Sequence, residues 1–497
     1  MKQTVRLTVL LLVLCILATA VASCGGGGAP QGTTEEHPSE TAAGTDREDP
    51  SGSEEQTSAA PVVIKTEPDL PELDYGGKEI RILVRPVDVC RKDLWLDTKD
   101  DTDEVDHAVW QRALYIESEY KAFITLVESS DGNYETDAMN SIQTGSCDFD
   151  IIAAHGRAAS SYALHNCSYD WNQLRYVDLT CDWWSNGAVT DWAINGKNYM
   201  MTGDISTHYL RTAIAMYFNK DVFDLLSMSY PYSNVEDNTW TLETWKSLAM
   251  EAYNGMPKTG TGSLEDDFFA YTTGWWRGPM QLLYSTGHRV VTGNSADTFR
   301  LDLYDETTSA AYEAYIDGFL FAGSCNTEAP SDYARLQAAF RRNGAVFYDD
   351  TLDTSRLFKE MNFGILPWPK YDESVDEYYT TLSSYANCFV IPKTVADPDS
   401  VSVILEAMAY FGHKRIVPAY YDRVLSYKYS PDPESTDMLQ IIRAGLVYDF
   451  GGIYSFGEIG DMGKLLYEAG TATGMYGLYS SLKSVAESKF SDWDYVK

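Results

Sequence analysis

Apolar positions recur along this chain with two periods, and those periods alternate. In Lys78-Glu79-Ile80-Arg81-Ile82-Leu83-Val84, residues Ile80, Ile82 and Val84 share one face of an extended segment, which predicts a first strand. The spacing becomes helical over Glu104–Tyr120, returns to a strand at 123–127 and is helical again over Tyr134–Thr144. It then contracts to a short apolar run at 148–154, of the kind buried on both faces of a sheet. Further strands are predicted at 213–218, 345–348 and 388–392. Helical faces are predicted from Leu242, Trp245, Leu248, Ala249 and Ala252, from Tyr312, Tyr315, Ile316, Phe319 and Leu320, and from Tyr333, Leu336, Ala339 and Phe340. A helix from Asp399 to Phe411 follows. Strands alternating with helices at this spacing predict right-handed βαβ units and a mainly parallel sheet.

The N-terminus departs from that pattern. Lys2 and Arg6 precede an apolar run from Leu7 to Ala22, interrupted by Thr8 and Thr19. The run is short for a membrane span and small residues follow it, the layout of a secretory signal peptide over 1–23. Val21-Ala22-Ser23-Cys24 resembles a bacterial lipobox, with Cys24 as the lipid-bearing first residue of the mature chain. One acyl chain holds a protein only reversibly, at about 0.8 kcal/mol per buried CH₂, so stable anchoring takes two or more. Residues 25–74 carry 12 acidic and 2 basic side chains, with no apolar periodicity before Val62. Such a segment cannot bury enough surface to offset its ordering entropy and reads as a disordered acidic tether.

Charge narrows the function. The 497 residues hold 38 Lys and Arg against 73 Asp and Glu, a net charge of −35. This argues against sequence-independent nucleic-acid binding and against electrostatic docking to anionic lipid. It also disfavours anionic ligands at long range, although a local arginine can override that. The 35 Tyr, 18 Phe and 12 Trp suit recognition surfaces, since Tyr and Trp pair an apolar face with a polar tip. Cys90, Cys147, Cys167, Cys181, Cys325 and Cys388 show no CxxC and no Cys/His zinc spacing, so no metal site is expected. Whether any of them pair, or all are buried thiols, stays open. No HExxH, GxSxG, P-loop or GxGxxG occurs, and no cofactor is expected. The acidic stretch 97–106 lacks the glycine and terminal glutamate of an EF-hand and reads as a loop feeding a helix N-terminus.

Several phrases in order carry a resemblance. Asp148-Phe149-Asp150-Ile151-Ile152 precedes Val177-Asp178-Leu179, then Ile194-Asn195-Gly196-Lys197-Asn198-Tyr199 and Gly203-Asp204-Ile205-Ser206. Met216-Tyr217-Phe218-Asn219-Lys220-Asp221 runs on to Thr239-Trp240-Thr241-Leu242, and later come Asn343-Gly344-Ala345-Val346 and Gly364-Ile365-Leu366-Pro367-Trp368-Pro369-Lys370. From about 75 to about 410 this series resembles the extracellular solute-binding proteins of sugar-type ABC importers, the group that includes maltose-binding protein, in the acidic lipoprotein form of Gram-positive gut bacteria. Tyr348-Asp349-Asp350 departs from the pattern, and little is recognisable after about 415.

The resemblance implies an α/β, two-lobed, periplasmic-binding-protein-like (type II) fold with a ligand cleft between the lobes. It implies a first lobe over 75–205, a second over 206–355, a return to the first over 356–415, and a helical end in the second over 416–497. It implies a non-enzymatic, monomeric, lipid-anchored protein on the outer face of the membrane. Such a protein captures a carbohydrate, an oligosaccharide being the expectation, and hands it to an ABC permease. A secreted glycoside hydrolase and a surface sensor of the same fold are the alternatives. Ligands of open α/β sheets bind at the carboxyl ends of strands. The candidate contacts are therefore His155 and Arg157 after the third strand, the pairs Trp183-Trp184 and Trp275-Trp276, Asp204, Asp349 and Trp368. Sugars stack C–H faces on aromatic rings and need fixed partners for their hydroxyls. Core packing for each tryptophan, a structural role for His155 and turn or cap roles for the two acids are the competing readings.

Overall fold

The protein is seen here as a computed structural model, which describes residues 66–492 apart from 101, 130–132, 296, 329, 427–433 and 459–461. The expected signal peptide, Cys24 and most of the expected tether lie outside the described residues.

The first sheet is laid down early. Strand β1 (Lys78–Val84) leads through helix α1 (Glu104–Tyr120) to β2 (Ala122–Glu128), and through α2 (Tyr134–Thr144) to β3 (Ile151–His155), which runs directly into α3 (Gly156–Leu164). The three strands are parallel, with β1 between β2 and β3. β3 is buried along nearly its whole length, whereas β2 at the sheet edge alternates and leaves Phe123 exposed. Asp103 caps α1, its carboxylate accepting the backbone N–H groups of Val105 and Asp106, so the acidic stretch before it does feed a helix N-terminus.

The second sheet takes β4 (Ile214–Asn219), β5 (Phe269–Gly274), β6 (Cys325–Glu328), β7 (Ala345–Thr351) and β8 (Phe363–Leu366), in the order β8-β4-β7-β5-β6. Helices α4 (Leu242–Gly255), α5 (Arg277–Ser285) and α6 (Tyr333–Arg341) cover it. Both faces are therefore shielded, and β4 and β5 are buried throughout. The apolar stripe at Tyr312–Leu320 is buried as expected but is wound as a wide π-helical segment. The chain returns to the first sheet with β9 (Asn387–Val390), antiparallel to β3, and continues as α7 (Pro398–Phe411).

Two expected boundaries move. Strand β8 pairs antiparallel with β4, so the second lobe extends past 355 and the return to the first comes only near 380. The tether, expected to reach 74, ends sooner: Tyr410 donates to the Glu67 carboxylate, and Leu70 and Tyr75 pack on the core. The tail, expected to belong to the second lobe, serves both. Helix 417–426 packs on α1, α8 (Glu434–Ala444) on β8, and α9 (Phe450–Glu458) on α3. α10 (Met462–Ala469) packs on α5, and α11 (Ala472–Asp492) on the π-helical segment.

Three stretches connect the lobes: 206–213, 380–386 and 445–449. Thr380 and Thr381 pair in parallel with Leu446 and Val447, and Ala213 bridges to Leu382. Buried carboxylates fix this junction. Asp93 accepts from the hydroxyls of Ser206 and Thr207 and from the Thr207 N–H, with Arg211 3.7 Å away. The buried Arg112 donates to the carbonyls of Ile205, Asp93 and Leu94 at 2.7, 2.9 and 2.7 Å. Asp204, 1% exposed, accepts from Tyr209 Oη at 2.5 Å and from Arg443 Nη2 at 2.9 Å, and pairs with His413 Nδ1 at 2.7 Å. Removing one partner of a buried pair leaves the others unpaired. Asp204→Asn is expected to cost about 3 kcal/mol in urea unfolding, the low end of the usual range because Arg443 and His413 keep some solvent. An unchanged midpoint would show that Asp204 does not hold the junction.

Candidate functional site

At the carboxyl end of the first sheet, β1 ends beside Arg85 and β3 beside His155 and Arg157. Antiparallel β9 begins at the same end, preceded by Ser383, Ser384 and Tyr385. In the second sheet β5 and β7 run parallel and end at Trp275-Trp276 and Thr351, while antiparallel β4 begins there after Thr212. A cavity of about 410 Å³ is lined from both sets of ends, by Arg157, Ser383, Ser384 and Tyr385 on one side and Thr212, Trp275, Trp276, Arg277, Tyr333 and Thr351 on the other. A larger cavity of about 830 Å³ lies behind the junction, against Trp184, Asp204, Tyr421 and Arg443. The paired segment 446–447 separates the two. Side chains alternate across it, Val447 facing the first cavity and Leu446 and Tyr448 the second. The smaller cavity is the one at the strand ends, where ligands of such sheets bind.

On the first lobe, His155 caps α3: its Nδ1 accepts the Ala158 N–H at 3.2 Å, which leaves Nε2 to donate to Glu135 at 3.0 Å. Desolvation holds the imidazole below its ordinary pKa; Glu135 opposes this and Arg85 and Arg157 reinforce it. The His155 ring lies between Tyr134 and Tyr385, at 6.2 and 5.9 Å between centroids. Tyr385 is 60% exposed, a large aromatic face left open beside the cavity.

On the second lobe, Trp275 and Trp276 are half-buried. Arg277 is buried, with Nη2 on Asp350 Oδ1 at 2.8 Å, Nη1 donating to the Asp349 carbonyl at 2.9 Å, and the guanidinium 4.3 Å from the Tyr333 ring centre. Two glycines bring the tail onto these walls. A Cβ on Gly156 would stand 2.0 Å from Ile453, and one on Gly463 2.7 Å from the Cβ of Trp276. α9 thus lies against the first wall and α10 against the second. The cavity's carboxylate, Asp449, accepts the N–H groups of Val290, Val291, Gly451 and Gly452, so both of its oxygens are engaged.

Of the sequence candidates, the structure brings together Arg157, Trp275 and Trp276 on the cavity, with His155 directly behind. The others lie elsewhere. Trp183 and Trp184 are 1% and 2% exposed and donate through Nε1 to the two oxygens of Glu406, at 3.0 and 2.8 Å. Trp368 is core, 5.5 Å from Trp245 and 5.8 Å from Tyr271 between ring centres. Asp204 belongs to the junction. Asp349 sits within β7 with its side chain sealed inside the lobe. The six described cysteines are free thiols, and no metal-ligating cluster occurs among the described residues. No described helix is long and apolar enough to cross a membrane. Sequence reasoning missed Tyr385 and Tyr333. Tyr385 lies three residues before a recognisable strand, but only the antiparallel direction of that strand puts it at the cleft.

No protein-family model and no curated protein matches the chain. Solved structures do. The GacH receptor of Streptomyces glaucescens, determined unliganded and with acarbose, matches at 13% identity with a TM-score of 0.52, over 82% of this chain and 99% of that one. An ABC substrate-binding protein of Listeria monocytogenes in complex with cycloalternan matches at 13% identity, TM-score 0.47, over 84% and 98% of the two chains. An ABC transporter solute-binding protein of Thermotoga lettingae bound with α-D-tagatose matches at 14% identity, TM-score 0.49, over 84% and 100%. The likeness to the GacH receptor, together with the two sheets described above, gives the chain the two-lobed α/β fold of solute-binding proteins.

Burial also sets a pH dependence. It pushes the Asp349 and Glu406 carboxyls each up to about 7. Between about pH 4 and 7 the folded chain holds a proton at each site that the unfolded chain has lost. Stability therefore falls as pH rises through that window, by up to about 1.4 kcal/mol per pH unit per group, and levels off above it. Urea unfolding across this range should show the decline, and Asp349→Asn or Glu406→Gln should each flatten it. A wild-type slope in both variants would contradict the assignment.

Proposed function

We propose that this chain is the extracellular capture component of an ABC importer, and that its ligand is a carbohydrate held in the 410 Å³ cavity between the lobes. The observation that carries this reading is the lining. Aromatic faces at Trp275, Trp276, Tyr333 and Tyr385 are interspersed with hydroxyls at Thr212, Thr351, Ser383 and Ser384, at the carboxyl ends of both sheets. Asp449 already accepts four backbone N–H groups, so the described lining offers no carboxylate to an amine, which disfavours amino acids and polyamines. Glycoside hydrolysis needs two carboxylates facing across the sugar. The described lining supplies one, already occupied, which favours binding over turnover. That the similarly folded GacH receptor was crystallised with acarbose supports the same reading.

Capture works by differential contact. A ligand touching Tyr385 on one lobe and Trp275 on the other stabilises the closed arrangement, because only there do both walls reach it. The crossing stretches near 206–213, 380–386 and 445–449 are where that motion must bend. A permease reading the closed state then receives the solute. Export through the signal peptide and lipid attachment at Cys24 would hold the domain at the membrane, on the acidic tether.

Thermal melting of the full chain against mono- and oligosaccharides, amino acids and polyamines tests the ligand class. A saccharide at 100 times its Kd should add about 2.7 kcal/mol and remain unhydrolysed. Stabilisation by an amine alone would sink the carbohydrate reading, and hydrolysis would revive the enzyme. Tyr385→Ala should weaken saccharide binding by about 1–3 kcal/mol while leaving the unliganded melting temperature unchanged, since its ring is mostly exposed. Cys24→Ser should release the protein from cells into the medium; retention on the membrane would contradict lipid anchoring.

A further inference from the structure

Resting on the carbohydrate reading, we infer that the ligand is an oligosaccharide longer than the cavity, and that its projecting units lie on a subsite outside it, formed by Trp275, Tyr467 and Phe321. The row begins inside the cleft, because Trp275 lines the cavity. Its ring centre stands 6.2 Å from that of Tyr467, and the Tyr467 ring stands 5.7 Å from Phe321. Trp275 and Tyr467 are half-buried and Phe321 is 42% exposed, so each side chain keeps surface open to solvent. Exposed apolar side chains scattered singly need no explanation. Phe321 differs because it ends a continuous row of rings whose other end is in the cleft.

The C-terminal tail builds this track. Met462 and Gly463, at the start of α10, line the cavity, and Gly463 lies against Trp276. Tyr467 follows Gly463 by four residues, so it sits on the same helical face about 6 Å farther along. Gly470, just past the helix, has a φ of +66°, and a Cβ there would stand 3.7 Å from the Phe321 ring. The helix therefore leads from the cavity wall to Phe321 over on the order of 10 Å, room for further sugar rings. A polar pair accompanies the rings: Tyr467 Oη lies 3.2 Å from Thr327 Oγ1. Two hydroxyls sharing one hydrogen bond keep a donor and acceptor lone pairs for a sugar hydroxyl. Ring faces with hydroxyls beside them suit a pyranose chain. The cavity of about 410 Å³ is near the small end of ligand pockets, so a longer chain has to project from it. Trp275 and Phe321 belong to the second lobe, and Tyr467 to the tail helix packed on α5 of that lobe. Sugar units lying there meet the same surface whether the cleft is open or closed, so they add affinity without driving closure.

Calorimetry on the full chain tests this with the malto-, cello- and xylo-oligosaccharide series, each from the monosaccharide to the hexasaccharide. In a series that binds, affinity should rise by about three- to tenfold for each ring engaged once the chain outgrows the cavity, and then level off. Phe321→Ala should remove the last step of that gain and leave the shortest bound saccharide at wild-type affinity. Phe321→Tyr, which keeps a ring, should retain the gain. Small-angle scattering should show the same contraction on binding for short and long ligands, in wild type and in Phe321→Ala. A larger contraction with the longer ligands would place the added units on both lobes and overturn the subsite. Affinity independent of chain length, or a length gain undiminished in Phe321→Ala, would overturn this inference and leave the carbohydrate reading standing. Failure of every saccharide to bind would overturn both.

Discussion

Two buried carboxylates, Asp93 and Asp204, hold the place where the chain passes between its lobes, and the cleft inherits its geometry from them. Asp93 fastens the first crossing through Ser206, Thr207 and Arg211. Asp204 joins that crossing to His413 at the end of α7 and to Arg443 at the end of α8. A hinge needs a fixed pivot. Ionised groups out of water are tolerated only with every lone pair met, so each carboxylate here selects one arrangement of its partners. An apolar cluster that includes Val105, Leu210, Ala213, Leu439 and Ile442 underlies the same junction and excludes water from it.

The tail changes what the two lobes can do. Helix α9 lies on α3 through Ile453 against Gly156, and α10 lies on α5 through Gly463 against Trp276. Both glycines permit an approach that no side chain would allow. The C-terminal segment thereby becomes part of both cleft walls, and the cavity is confined to about 410 Å³. That is near the small end of ligand pockets, about 300–1,000 Å³. The larger space behind the junction has a different character, built around the Asp204–Arg443 pair.

Charge is distributed unevenly. The chain carries a strongly negative formal charge, which repels anions at a distance. Inside, the balance differs by location: Asp349 and Glu406 are held toward their neutral forms by burial, while the buried Arg277 keeps its charge by pairing with Asp350. Long-range field and local recognition are therefore separate properties of this molecule, the first set by the surface and the second by a few desolvated groups.

The elements were legible in the sequence because their causes are local. Ile80, Ile82 and Val84 share a face in any extended chain, and the stripes through Trp245 and Leu336 share a face in any helix; β1, α1 and α2 end where that periodicity ends. The ordered phrases carried the two-lobed fold through the resemblance they support, Arg157 followed from lying just after a predicted strand, and Trp275 and Trp276 stood out as an aromatic pair suited to sugar stacking. Pairing partners were not legible. Whether Trp183 and Trp184 stack on a sugar or donate to Glu406, more than 200 residues away, depends on long-range packing that no local window contains. The same limit hid the direction of β8 and β9, and with them the second-lobe boundary and the exposed face of Tyr385. The sequence by itself determined which residues were apolar, periodic or charged. Only the tertiary structure decided which of them face one another across the cleft, because burial and exposure of a given side chain are settled by what the rest of the chain places against it.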